Sequence, residues 1–227
     1  EEKVSRPLPE KLMRWLLRQV LPYPKRFNRL MAVARLGKPF LPATIKAKIP
    51  DACAGLVVQQ QGHDRQVILH QGCVQPTLTP ATDAATVRVL DRLGIAVIVD
   101  QNASCCGAVS QNLGATDEAR GFIRRNIDAW WPDIEQGVEA IVVTASGCAP
   151  MVKDYGTLLS DDIRYADKAQ RFSELTKDIS EVIANESFSP VIEPAGGKRK
   201  IAFHSPCTLQ HAQRITGSVE QILEQAG

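Results

Sequence analysis

The sequence predicts an α/β protein: a mostly parallel sheet with flanking helices, preceded by a helical N-terminal segment. Three observations lead there. From residue 65 onward, short apolar runs alternate with helix-length amphipathic stretches, the pattern of strands joined by crossover helices. Proline and glycine mark the joins, as at Pro80, Gly94 and Gly137, where helices start and stop. One unit also occurs twice. Arg65-Gln66-Val67-Ile68-Leu69-His70-Gln71-Gly72-Cys73 matches Arg199-Lys200-Ile201-Ala202-Phe203-His204-Ser205-Pro206-Cys207 position for position, which is an internal repeat. With 227 residues, 44% hydrophobic and 23% charged, the chain can bury a sizeable core.

Residues 1–37 read as a basic helical segment. Pro9 suits a first helical turn, and Leu12, Trp15, Leu16 and Val20 recur at helical spacing until Pro22 and Pro24 end the run. A second helix covers about Lys25 to Leu36, with Phe27, Leu30, Met31 and Ala34 on one face, and stops at Gly37. Residues 1–50 hold 12 Lys and Arg against 3 Glu, or +9, so the remainder carries −7 of the overall +2. A split of this size marks an interaction surface, with a solvated helical face as the plainer alternative. No nucleic-acid-binding motif accompanies it. Residues 38–65 read as a linker, with Pro39, Pro42, Pro50 and Gln59-Gln60-Gln61-Gly62; Cys53 lies in it and ends no strand.

Val67-Ile68-Leu69 is the first strand. Thr79 caps the following helix, with Pro80 at its first position, Val89, Leu90 and Leu93 inward, and Gly94 at its end. Ile95 to Val99 form the second strand. Thr116 and Asp117 open a helix that runs through Phe122, Ile123, Ile127 and Trp130 to about Gln136, and Ala140 to Val143 form the third strand. One long helical run is expected over about Ala166 to Ala184. On this reading residues 66–195 are one repeat unit. Residues 196–227 begin a second that has a strand at Ile201 to His204 and a helix but no cysteine pair.

Each strand of the first unit ends at cysteine: Cys73, then Cys105-Cys106-Gly107, then Cys148. Successive side chains of a strand point to opposite faces, so adjacent cysteines converge only where the backbone turns; Gly107 permits that turn. In parallel α/β sheets, sites form beyond the carboxyl ends of the strands. Four thiolates there suit tetrahedral zinc or a cubane iron–sulfur cluster. A structural disulfide fits poorly, since six cysteines in 227 residues is no disulfide scaffold. A thiol–disulfide enzyme using Cys105-Cys106 ranks last, because a vicinal disulfide is strained and no CxxC is present. No GxGxxG or phosphate loop exists, and no apolar run is long enough to cross a bilayer. His70 and His204 each precede a cysteine by three, so a hydrogen bond from imidazole to sulfur is expected, with a satisfied core histidine as the alternative. His211 reads as an exposed helical residue.

These residues resemble the cysteine-rich CCG domain family. Thirty-one residues separate Cys73 from Cys105, and 41 separate Cys106 from Cys148. The motifs His-Gln-Gly-Cys-Val-Gln-Pro-Thr-Leu, Ala-Ser-Cys-Cys-Gly-Ala-Val, Asn-Ile-Asp-Ala-Trp-Trp-Pro, Thr-Ala-Ser-Gly-Cys and His-Ser-Pro-Cys-Thr-Leu-Gln-His-Ala-Gln are most similar to glycolate oxidase iron–sulfur subunits, and the resemblance covers nearly the whole chain.

The resemblance implies an electron-transfer role. Electrons would pass from a flavin-containing subunit that oxidises glycolate to glyoxylate towards a quinone or other acceptor, with the substrate site on another subunit. It implies a [4Fe–4S]-type cluster on Cys73, Cys105, Cys106 and Cys148, with Cys207 as the lone ligand of an incomplete second site. A zinc-binding structural or assembly module without redox role is the alternative. Where the family motif holds a noncubane cluster it uses a fifth cysteine, and here Met151 stands in that place. A cytoplasmic location, with peripheral membrane association through the complex, is also implied. The family has a ferredoxin-like domain before the present Glu1 and a completed second repeat, so this polypeptide is expected to be a fragment.

Overall fold

The computed structural model describes residues 6–47, 49–51, 61–99, 104–186 and 200–225; Cys53 and residues 187–199 lie outside them. Four parallel strands form one sheet: β1 (Arg65–His70), β2 (Ile95–Ile98), β3 (Ala140–Val143) and β4 (Thr176–Asp178), in the spatial order β2-β1-β3-β4. The chain steps from β1 outward to β2, then returns to the other side of β1 for β3. The direction of winding thus reverses between β1 and β3, and in open parallel sheets that reversal opens a crevice at the carboxyl ends of the two strands. Register pairs His70 with Val143 at that end.

Strand alternation divides the core into two layers. Val67 and Leu69 of β1, with Ala140 and Val142 of β3, meet Val87 and Leu90 of α5 (Pro80–Arg92) and Val182 of α11 (Ile179–Ala184). Ile68, Ile141 and Val143 face the other way. They pack on Phe122, Ile123, Ile127 and Trp130 of α7 (Thr116–Glu135) and Phe172 of α10 (Ala166–Leu175). Both sheet faces are therefore covered, which is why β1 and β3 read as unbroken apolar runs. Short helices complete the loops after the strands: α4 (Gln75–Leu78), α6 (Ala108–Asn112), α8 (Ala149–Lys153) and α9 (Tyr155–Leu158).

The N-terminal segment forms α1 (Leu8–Val20) and α2 (Pro24–Gly37), followed by a 3-10 turn and α3 (Ala43–Lys46). Tyr23, between the first two, sets its ring edge-on to Phe122 at 5.8 Å, and Arg18 Nε pairs with Glu118 at 2.8 Å. Arg35 donates to the carbonyl oxygens of Pro50 and Thr77 at 3.0 and 3.2 Å. The hairpin is thus seated on the sheet domain, yet Leu8, Leu12, Met13, Trp15, Leu16, Leu30, Val33 and Leu36 remain exposed. No helix among the described residues is long and apolar enough to cross a membrane.

Two expectations differ from the structure. The single helix over Ala166 to Ala184 is broken by β4. Asp178 caps α11 in a reciprocal box with Glu181, which fixes a new helix start and leaves Thr176–Asp178 extended beside β3. The second copy of the repeat also departs from the first. Residues 200–206 form no strand, and Ile201 and Phe203 are exposed. Identical patterning does not make a strand where no neighbouring strand supplies backbone partners. A π-helical turn at Thr208–Ala212 and α12 (Ser218–Gln225) follow.

Candidate metal centre

Three loops leaving the carboxyl ends of β1, β2 and β3 deliver cysteines to one point. Cys73, Cys105 and Cys106 are buried and Cys148 is half-buried. Their side chains touch in a chain of thiol contacts running Cys73, Cys105, Cys106, Cys148. The neighbouring thiols of Cys106 and Cys73, with the Gly107 amide 3.4 Å from its sulfur, hold the Cys105 thiol well below its ordinary range. Cys148 is lowered by the neighbouring Cys106 thiol, whereas Cys106 and Cys73 are raised by their closeness to Cys105 and by burial. The surroundings favour the thiolate, the form that binds metals, most strongly at Cys105.

Gly72 and Gly107 shape the turns. Gly72 has φ +71°, and a Cβ there would stand 3.6 Å from Cys148 Sγ; Gly107 has φ +92°, and a Cβ there would stand 3.2 Å from the Ala119 carbonyl oxygen and from Met151 Cε. The left-handed backbone at Gly107 is what reverses the chain directly after the cysteine pair.

A buried polar network fixes the same backbone from behind. Asn126 of α7 donates from Nδ2 to the Cys105 carbonyl at 3.0 Å and to Tyr155 Oη at 3.0 Å, and its Oδ1 accepts from the Ser104 amide and hydroxyl at 2.8 and 2.9 Å. Tyr155 Oη donates to the Cys106 carbonyl at 2.8 Å. The Cys73 loop is held separately. Gln71 and Gln75 donate to Asp83 of α5 at 3.1 and 2.5 Å, and Gln75 reaches Thr144 Oγ1 at 2.6 Å. Sequence reasoning singled out none of Asn126, Tyr155 and Asp83. Asn126 carried a signal nonetheless, as a polar residue on the apolar face of α7, between Phe122, Ile123 and Ile127.

His70 is buried, lies edge-on to Trp130 at 5.3 Å, and has no hydrogen-bond partner on either ring nitrogen. Burial lowers its pKa to about 4, against the opposing pull of Cys105, so the ring is neutral. The other candidates stand apart: Cys207 is exposed and outside the thiol contacts, and His204 and His211 are exposed. Met151, half-buried, lays its methyl against Gly107.

Four converging thiols form a soft donor set that fits a thiophilic metal or an iron–sulfur cluster. The fold and site define a cysteine-rich α/β domain, and residues 67–153 belong to the CCG family of cysteine-rich domains. Over its whole length the chain is 48% identical to the glycolate oxidase iron-sulfur subunit of Escherichia coli, matching 56% of that protein. It is 24% identical over 160 residues to the probable glycolate oxidase iron-sulfur subunit of Bacillus subtilis, covering 70% of this chain and 35% of the relative. Lactate utilization protein A of Bacillus licheniformis is 28% identical over 160 residues, covering 70% of this chain and 64% of that one. The chain therefore spans between about a third and two thirds of these relatives' lengths. No solved structure matches it significantly.

Proposed function

We propose that this chain is the cysteine-rich part of an iron–sulfur subunit that carries electrons in a glycolate-oxidising flavoprotein complex. The observation that carries the reading is the convergence of Cys73, Cys105, Cys106 and Cys148 at the reversal between β1 and β3. The names of the relatives supply the substrate. Glycolate would be oxidised to glyoxylate on a flavin-containing partner, and electrons would leave towards a quinone or other acceptor. When bound, a [4Fe–4S]-type cluster held by the four thiols supplies one-electron transfer.

The chain's own residues do the rest. The four thiols give up their protons as the metal binds. Asn126 and Tyr155 hold the two carbonyls of the cysteine pair, so the sulfurs are set by the core. Trp130, Phe122 and Ile127 close the inner side against water. The exposed basic and apolar surface of α1 and α2 is the proposed docking face for the flavin-containing partner. A cytoplasmic location, at the inner face of the membrane through the complex, accords with that arrangement.

Anaerobic purification followed by iron and acid-labile sulfide analysis tests the reading. Visible absorbance with iron and sulfide in comparable amounts is expected. Colourless protein holding zinc and no sulfide would contradict it.

A further inference from the structure

His70 is the last residue of β1, and its side chain points to the same sheet face as Ile68, into the space beneath the cysteine loops. Its ring is 1% exposed and packs edge-on to Trp130 at 5.3 Å, yet neither Nδ1 nor Nε2 has a hydrogen-bond partner. A buried polar group left unpaired costs about 1–3 kcal/mol, so an imidazole with both nitrogens idle calls for a missing partner. A ring nitrogen of His70 and the sulfurs of Cys106 and Cys148 all lie within 4.8 Å of one another. Donors around a tetrahedral ion with metal–sulfur bonds of about 2.3 Å and metal–nitrogen bonds of about 2.0 Å stand roughly 3.5–3.8 Å apart. The three groups need to close by no more than about 1.3 Å to reach that spacing.

Met151 strengthens the case, since its methyl lies against Gly107 and a thioether is a weak ligand for iron or zinc. We propose that His70 is a fifth donor of the site: one ring nitrogen binds a soft or borderline metal together with Cys106 and Cys148. This rests on reading the thiols as a metal centre. In a cubane each iron takes one protein donor, so this three-donor set describes a single ion held by the same cysteines, and iron, cobalt and zinc all belong to the class that a nitrogen–sulfur set accepts.

The test titrates the metal-free 227-residue chain anaerobically with Co²⁺ alone, read by absorption and X-ray absorption fine structure. Wild type should show sulfur-to-cobalt charge transfer and a first shell of mixed sulfur and nitrogen, with imidazole scattering beyond it. His70→Phe keeps an aromatic edge against Trp130 but no nitrogen. It should retain charge transfer and bind cobalt at least about tenfold more weakly. An all-sulfur shell in wild type would overturn the role of His70 while leaving the thiol site standing, and needs no variant to fold. Unchanged affinity and spectrum in His70→Phe would do the same. Absence of any charge transfer in wild type would overturn both readings.

Discussion

Asn126 Nδ2 donates to the carbonyl oxygen of Cys105 at 3.0 Å, from 21 residues further along the chain. The same side chain accepts from Ser104 and donates to Tyr155 Oη, which in turn donates to the Cys106 carbonyl. The backbone of the cysteine pair is therefore tied to α7 and α9 rather than to its own loop. All of these bonds lie in buried or half-buried surroundings, where they are worth most and cost most to break.

Asn126→Leu should lower stability by about 2–4 kcal/mol, because the Cys105 carbonyl and the Ser104 amide lose their partner inside the protein. Tyr155→Phe removes one hydroxyl and should cost about 1–2 kcal/mol. Urea denaturation compares the three proteins. An Asn126→Leu variant as stable as wild type would show that the network is incidental.

Gly107→Ala should destabilise by about 1–3 kcal/mol, since a left-handed backbone penalises any Cβ and this one meets a carbonyl oxygen. Gly72→Ala should cost less, because its Cβ would meet only a sulfur at ordinary contact distance. Thermal unfolding that ranks the two in the opposite order would contradict the turn geometry.

Burial raises the pKa of the Asp83 carboxyl, against the lowering hydrogen bonds from Gln75 and Gln71. A raised folded value favours the protonated form. That contribution is fully present below the unfolded value of about 3.9 and is lost as pH rises through the folded value. Asp83→Asn, which carries no charge to bury, should gain stability relative to wild type between about pH 4 and pH 7. Melting curves across that range check the sign, and a difference that stays flat or falls would refute it.

On α1 and α2 the charges split by role. Arg18 pairs with Glu118, and Arg26 stacks over Tyr23 at 4.2 Å, so both serve the fold. Lys11, Lys25 and Arg29 are exposed, as are Leu12, Trp15 and Leu16. Reversing those three charges should weaken capture of the flavin-containing partner without lowering the melting temperature, and added salt should weaken it in wild type. Capture that is indifferent to both changes would remove this face from the account.

The sheet was legible because β1, β2 and β3 are short apolar runs closed by glycine or cysteine, and α5 and α7 carry their own stop signals. The strand β4 was not, since Thr176-Lys177-Asp178 has no apolar alternation and lies between two good helices. Only the Asp178–Glu181 cap betrays the break. At the candidate site, Cys73, Cys105, Cys106 and Cys148 could be grouped from the sequence, because each follows the carboxyl end of a strand within its loop. Asn126, Tyr155 and Asp83 reach the cysteine loops from helices distant in sequence, so local patterning held nothing to connect them. The Ile201 to His204 stretch taught the converse: a strand-like pattern stays unpaired where the neighbouring strands of the first unit have no counterpart.

The central claim is that four particular thiols hold one redox metal centre. Iron and acid-labile sulfide measured on anaerobically purified wild type, Cys106→Ser, Cys207→Ser and Cys53→Ser test it most directly. The account predicts that iron and sulfide are retained in wild type, Cys207→Ser and Cys53→Ser, and that both are lost in Cys106→Ser. Equal iron in Cys106→Ser and wild type, or no iron in any of the four, would contradict it.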